Sequence, residues 1–469
     1  MQIPILSGIY TDNGPDLRTS YPVNMVPVPK ASGVSTEFLR PADGIVGNGV
    51  GPGIDRGGIN WNGICYRVMG SKLVAVASDG AVTVLGDVGG PTETLVSMDY
   101  SFDRLAIASG GRLYYWSNAL GLVQVTDPDL GLVLDVVWVD GYFMTTDGTS
   151  LVVTELADPT QVNPLKYGSS EVDPDPVVAL LKLRNEVYAL NRNTIEVFDN
   201  VGGEFFPFQR IDGAQVQKGV IGTFGCCVFV ETVAFLGSGR NEAPGIYLGA
   251  NATSSKISTQ EIDELLQTYT EAQLAVVKLE ARNDKAHQHL YVHLPDRTIV
   301  YDASASEALK QHVWFVLTTS TAGFGQFRAR NMVWCYDNWL VGDPLSSAIG
   351  KFVQDTSDHW GQIVRWEFGT MMMYNEGNGA IVHQLELVAL TGRVALGKDP
   401  MITTSYSLDG RSWSQDHAVR AGKLGDNGKR VAWFQQGHWR NWRVQRFRGD
   451  SQAHCSFVRL EARIEPLAF

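Results

Sequence analysis

The sequence predicts an all-β chain organised as a six- or seven-bladed β-propeller with a Pro-rich N-terminal arm, a short helical insertion and a C-terminal antiparallel β domain. Composition is the first support: 469 residues with 49 Gly, 12 Trp, 16 Tyr and 19 Phe, 44% hydrophobic and 19% charged. That is an ordered chain rich in turn formers and in the aromatic residues that strands favour. The second is repetition of one unit, an apolar run, a tight turn and another apolar run. It reads CYRVMGSKLVAVAS at 65–78, RLAIASGGRLYYW at 104–116, YFMTTDGTSLVVTEL at 142–156 and EVYALNRNTIEVFDN at 186–200. Looser copies occupy 232–251, 289–304 and 331–344. The third is period: the turns fall near residues 70, 110, 147, 192, 240, 295 and 337, at intervals of roughly 37 to 55 residues. Hairpins at that spacing match the middle of successive propeller blades.

Each element follows in chain order. Residues 1–55 are expected as an extended arm, because Tyr21-Pro22-Val23-Asn24-Met25-Val26-Pro27-Val28-Pro29 carries too many prolines for a helix or a central strand. Residues 56–355 are expected as the propeller. Within it, Gly219–Gly237 approaches membrane-spanning length, but Glu231 and internal glycines interrupt it, so buried strands are expected. Near 258–280, Ser258-Thr259-Gln260-Glu261 and Thr270-Glu271-Ala272-Gln273 have capping-box spacing and predict two short helices decorating one blade. Residues 356–469 are expected as a separate antiparallel β domain with a hairpin turn at Asp409-Gly410.

The net charge of −12 excludes wholesale wrapping of nucleic acid, which needs abundant Lys and Arg. Charge is uneven: residues 420–469 hold ten Lys/Arg and four Asp/Glu, a basic end on an acidic body. The first 16 residues lack the basic start and apolar core of a secretory signal. Cys65, Cys226, Cys227, Cys335 and Cys455 have neither disulfide-framework nor zinc spacing, so reduced thiols are expected.

Signs of chemistry are sparse. Gly392–Asp399 copies the glycine and lysine spacing of a phosphate-binding loop, but Asp399 stands where a hydroxyl is needed and no helix is expected to follow. His287, His289 and His293 alternate along one strand face, where the pleat spreads them too far for one ion, and they are expected as surface histidines. Asp127-Pro128-Asp129 and the acidic run at 171–176 read as proline-stiffened turns rather than calcium loops. No nucleophile elbow or glycosidase-type carboxylate pair is evident, so no catalytic residue, metal or cofactor is expected.

The most specific local feature is Lys429–Arg448, KRVAWFQQGHWRNWRVQRFR. Arg430, Arg440, Arg443, Arg446 and Arg448 interleave with Trp433, Phe434, Trp439, Trp442 and Phe447. These residue types are enriched at protein interface hot spots and at nucleic-acid stacking platforms. Two readings stay open: a sheet with Trp inward and Arg outward, or a contact surface, for which a protein subunit fits the acidic body better than DNA.

At this point the chain resembles a known family, the tail hub or nozzle proteins of short-tailed bacteriophages, also called packaged-DNA stabilisation proteins. The resemblance rests on Pro22-Val23-Asn24-Met25 with Pro29-Lys30, Phe38-Leu39-Arg40, Tyr66-Arg67-Val68 with Lys72-Leu73, and Val216-Gln217-Lys218-Gly219. It continues through Thr268-Tyr269-Thr270 and His293-Leu294-Pro295 to Val300-Tyr301-Asp302-Ala303-Ser304. It implies a non-enzymatic virion protein, assembled in the host cytoplasm as a hexameric ring below the portal and its adaptor. Such a ring closes and extends the DNA channel, retains the packaged genome, forms the ejection conduit, and carries tailspikes or tail fibres and a needle-like plug. Pro22, Asn24 and Met25 of the arm join the Arg/Trp run as expected partner contacts. The alternative is a glycan-binding or glycan-cleaving propeller, which requires an aromatic-lined pocket with paired carboxylates at the propeller axis.

Overall fold

The computed structural model describes residues 2–5, 8–9, 21–30, 37–250 and 252–467. Of the expected arm, positions 1, 6–7, 10–20 and 31–36 lie outside the described residues.

Seven antiparallel sheets of four or five strands succeed one another along the chain, spanning 55–87, 97–124, 135–169, 177–210, 219–256, 278–317 and 330–353. They are the blades of a seven-bladed propeller. Their innermost strands, Asp55–Trp61, Ser97–Tyr100, Asp135–Val139, Val177–Leu183, Cys226–Phe229, Lys278–Asp284 and Arg330–Cys335, each touch the next, and the seventh touches the first. Blade 7 draws only three strands from its own stretch of sequence. Its outer strand is Gly44–Val50, which precedes blade 1 and pairs Ile45 with Phe352 and Val46 with Lys351. The ring is thus closed by a zipper between distant parts of the chain. Gly49 is required there by a close approach, since a Cβ would stand 2.3 Å from the Gly80 carbonyl oxygen.

Side chains on the inner strands knit neighbouring blades together, which is why polar residues are buried near the axis. The Arg56 guanidinium of blade 1 donates to Thr94 O at 2.6 Å and to Ser109 Oγ at 3.1 Å, on the blade 2 side. Asp99 of blade 2 accepts the Trp138 N–H of blade 3, and Asp135 of blade 3 accepts the Leu180 N–H of blade 4. Glu280 of blade 6 accepts the Asn331 N–H of blade 7, and Asn331 Nδ2 donates to Asp55 Oδ2 of blade 1. Asp55 is itself paired with fully buried Arg67 at 2.9 Å. The hydrogen bonds between blades satisfy groups that would otherwise be buried unmet, and the Asp55–Arg67 pair offsets two buried charges.

The sequence from Gly219 to Gly237 forms strands of blade 5, as its β-branched content predicts, and no helix among the described residues is long and apolar enough to cross a membrane. Cys226 and Cys227 face different hydrophobic clusters, as alternate residues of a strand do, and all five thiols are free. The helical insertion is present, but as Gln260–Gln267 and Glu271–Leu274 in the connection between blades 5 and 6. The second helix has its reciprocal Thr270–Gln273 capping box. The first begins one residue later than the spacing predicts, with Thr259 at the N-cap position but making no side-chain cap, while Ser258 Oγ is committed to Asp263 at 2.7 Å. A third helix, Ala303–Leu309, capped by Asp302, was not foreseen.

The C-terminal part is a β-sandwich. One sheet is built on Ala380–Leu390 and Ser456–Pro466, and the other on Arg365–Gly369, Met401–Ser407, His417–Arg420 and Trp442–Asp450. Trp366, Phe368, Phe447 and Phe457 pack at its centre with ring centroids 5.0 to 5.7 Å apart. The N-terminal segment completes this domain: Met25–Pro29 pairs with Glu37–Pro41, which pairs through Leu39 with Phe457. Met25–Pro29 is the sheet's edge strand, the place where Pro27 and Pro29 cost no ladder hydrogen bond. Ile3, Met25 and Leu39 enter the sandwich core.

Candidate interaction surfaces

The three arm candidates lie at the junction of the two domains. Val23 exchanges hydrogen bonds with Glu367 of the sandwich at 2.8 and 3.1 Å, while Pro22 O accepts from Val316 and Asn24 N–H donates to Val316 O, in the outer strand of blade 6. Asn24, at φ 53°, spans both domains with its amide: Nδ2 donates to Thr318 O at 2.9 Å and to Arg365 O at 2.7 Å, and Oδ1 accepts from Thr318 N at 3.0 Å. Pro22, Asn24 and Met25 are all buried within the protomer.

The Arg/Trp run divides into an internal and an external set. Trp433 and Trp439 are each 3% exposed, and Trp433 Nε1 donates to His417 O. Arg443 is fully buried: its guanidinium donates to Gln436 O at 2.5 Å and twice to Gln445 Oε1, at 3.0 and 2.8 Å, and lies 3.9 Å above the Tyr406 ring. Its neighbours there are neutral, so burial pulls its pKa down to about 10. Arg446 is half-buried, 3.9 Å over Trp413. Facing outward are Arg430, bidentate to Glu386, Arg448, paired with Asp416, and Arg440, exposed without a charged partner among the described residues. Beside Arg440, half-buried Trp442 pairs across the ladder with Tyr374, which follows exposed Met371 and Met372. This strip of Met, Tyr, Trp and Arg has hot-spot composition. Met371, Met372 and Tyr374 lie some seventy positions before Arg440 and Trp442, and only the strand pairing brings them together.

The propeller axis holds a cavity of about 390 Å³. Asp99 and Asp135 line it, but Phe224 is the sole aromatic residue in its wall. Both carboxylates are occupied by the fold. Asp99 accepts the Tyr100 and Trp138 N–H groups at 2.8 and 2.6 Å, and Asp135 accepts Val136 and Leu180 N–H together with Ser97 Oγ. Burial raises both pKa values, that of Asp135 to about 6. The pair holds blades together and has no stacking platform beside it, so the wall does not have the make-up of a sugar-cleaving site.

The remaining motifs are structural. Gly392–Asp399 is an irregular turn whose Asp399 pairs with Arg420 at 2.5 Å. Asp409 closes its hairpin turn by accepting the Arg411 and Ser412 N–H groups. In the acidic turns, Asp127 accepts from Val162 N and Asp175 from Asn193 N. The histidines depart from expectation. His289 and His293 are each 2% exposed rather than on the surface, because Tyr291 between them packs with Val341 and Phe352 of blade 7 and covers their face of the strand, while His293 Nε2 lies 3.0 Å from Glu280 Oε2 on the adjacent strand of the same blade. His287 and His289 both approach Asp302.

With this architecture in view, comparison with known proteins is decisive. Residues 1–357 match the family described as bacteriophage P22 Gp10, β-propeller, and residues 365–465 match bacteriophage P22 Gp10, β-sandwich. The chain belongs to the bacteriophage P22 Gp10 family. It is 27% identical over 462 residues to the tail hub protein gp10 of Salmonella phage P22, covering 94% of each chain. Membership makes it a structural tail hub protein of a phage virion, with the two folds that the family's descriptions name. Among solved structures, virginiamycin B lyase from Staphylococcus aureus is 10% identical, with a TM-score of 0.43 over 66% of this chain and 98% of its own. The Neurospora crassa Pan2 WD40 domain is 9% identical, with a TM-score of 0.41 over 66% and 95%. At these scores the likenesses carry no argument.

Proposed function

We propose that copies of this chain form a ring, hexameric as the family resemblance implies, that closes and extends the DNA channel below the portal and adaptor. The ring retains the packaged genome, serves as the ejection conduit, and carries tailspikes or fibres and a needle-like plug. The observation that carries this reading is the match of both domains, in order and across nearly the whole chain, to one family of phage tail proteins. Two features support a passive mechanism. Hydrogen bonds running from blade 6 through Val23 to the sandwich join the domains into a stiff body suited to stacking. The connectors leading from blade 2 to blade 3 and from blade 3 to blade 4 carry Asp127, Asp129, Glu171, Asp173 and Asp175 on one rim, a surface that repels DNA rather than gripping it. The outward strip of Arg440, Trp442 and Tyr374 is the surface assigned to another tail subunit. The test is complementation of a phage lacking this gene. Filled heads that lose their DNA without the protein and keep it with wild type are expected, and heads that stay filled without it refute the role. A Tyr374→Ala, Arg440→Ala, Trp442→Ala variant is expected to fold but fail to join the tail.

A further inference from the structure

At one end of blade 6, three side chains converge on one point. The ladder pairs His289 with Asp302, and His287 projects from the same face two residues earlier. The two imidazoles stack with centroids 5.4 Å apart. Asp302 Oδ2 reaches between them, 2.6 Å from His287 Nδ1 and 3.3 Å from His289 Nε2, and the three atoms lie within 4.8 Å of one another. The carboxylate is held in this orientation because its other oxygen accepts the Ala305 N–H at 2.9 Å, as the cap of helix Ala303–Leu309. The pleat alone would separate side chains two residues apart by about 7 Å. Ring orientation and the facing carboxylate close that gap.

We propose that His287 Nδ1, His289 Nε2 and Asp302 Oδ2 form a binding site for a divalent transition metal of the zinc class. Two imidazoles and a carboxylate are a zinc donor set, and bonds of about 2.0–2.2 Å in tetrahedral geometry place donors roughly 3.3 Å apart. The His289–Asp302 pair already has that spacing, the His287–Asp302 pair reaches it by opening less than about 1 Å, and the two imidazole nitrogens, within 4.8 Å of each other, reach it by closing up to about 1.5 Å. His287 has room for this adjustment: its side chain is 12% exposed and follows the tight turn at Lys285, φ 55°. His287 also lines a cavity of about 350 Å³ shared with Asp284, Arg393 and His454, which leaves the fourth position to water. One feature limits the affinity. His289 Nδ1 is buried without a hydrogen-bond partner, and a ligand lacking its outer partner binds metal about 10- to 100-fold more weakly than one that has it. A bound ion would cross-link the start of one strand to the end of the next, in the blade whose outer strand holds the arm.

The test uses the full-length protein, stripped with EDTA and then equilibrated with zinc alone. After gel filtration, one zinc per chain and a raised Tm are expected for wild type and for His438→Ala, an exposed control, with both effects lost in His287→Ala. Cobalt in place of zinc gives an independent readout on wild type, an intense visible band from a tetrahedral nitrogen and oxygen site. Wild type that retains no zinc, or His287→Ala that binds it equally well, overturns the proposal and leaves the three groups as a hydrogen-bonded cluster. Should His287→Ala fail to fold, absence of the cobalt band from wild type overturns it as well.

Discussion

Arg443 tests whether the basic run serves the protomer's interior or its partners. Replacing it with Ala removes three hydrogen bonds and the contact with the Tyr406 ring. Gln436 O loses its bond from the guanidinium, and Gln445 Oε1 loses both of its own, in a site that water does not reach. Unmet buried acceptors cost about 1–3 kcal/mol each, and a desolvated cation–π contact adds about 2 kcal/mol. Against this stands relief of a buried cation without a carboxylate beside it, which offsets several kcal/mol. The balance is a loss of about 3 kcal/mol. Arg440→Ala, in the exposed bend just before the strand that carries Arg443, is expected to change stability by less than about 0.5 kcal/mol. Urea unfolding gives the total, and amide hydrogen exchange across residues 401–450 locates it. If Arg443→Ala unfolds at the wild-type midpoint yet fails to assemble, the side chain belongs to a partner contact, and its role as an interior tie is refuted.

The junctions between blades and between domains supply three more tests. Asn24→Ala removes three hydrogen bonds that tie the arm to both domains and is expected to cost about 2–3 kcal/mol; limited proteolysis should then cut between propeller and sandwich, and an unchanged digestion pattern would count against the junction. Asp135, ordinarily near 3.8 but raised to about 6 in the fold, binds its proton more tightly when folded. Its contribution therefore improves as pH falls from 6 toward 4, by about 3 kcal/mol, and is absent as a gain above pH 6. Asp135→Asn should lose that acid-side gain in urea titrations at several pH values, and parallel curves for the two proteins would contradict it. Gly49→Val drives a Cβ against the Gly80 carbonyl and is expected to weaken closure of blade 7, read as faster amide exchange in residues 348–353.

The seven hairpins were legible because a tight turn flanked by apolar runs is a local signal, and the structure settles the six or seven blades they left open at seven, one turn to each. The closing strand was not, because Gly44–Val50 has the glycine content of a loop and becomes a strand only by pairing with residues about 300 positions away. In the Arg/Trp run, alternation placed Trp433 and Trp439 inside as one reading anticipates. It could not foresee Arg443 turning inward, since its acceptors Gln436 and Gln445 look like surface residues in the sequence. The histidine cluster was within reach. With the turn predicted near residue 295 taken as the four residues 294–297, His293 pairs with Thr298, and counting back four pairs sets His289 against Asp302. Pleat spacing argued against convergence only because the facing strand was left out of the count.

The stitching of residues 21–30 and 37–50 into both domains governs how the chain can reach its native state. Once residue 353 has left the ribosome, every strand of the propeller is available to fold. The hairpin of 25–41, however, must wait for Ser456–Pro466, and until then it displays a bare strand edge. Covering that edge is therefore a late step of folding. A nascent subunit remains adhesive until Ser456–Pro466 arrives, and it becomes a clean building block only when that strand has met Glu37–Pro41.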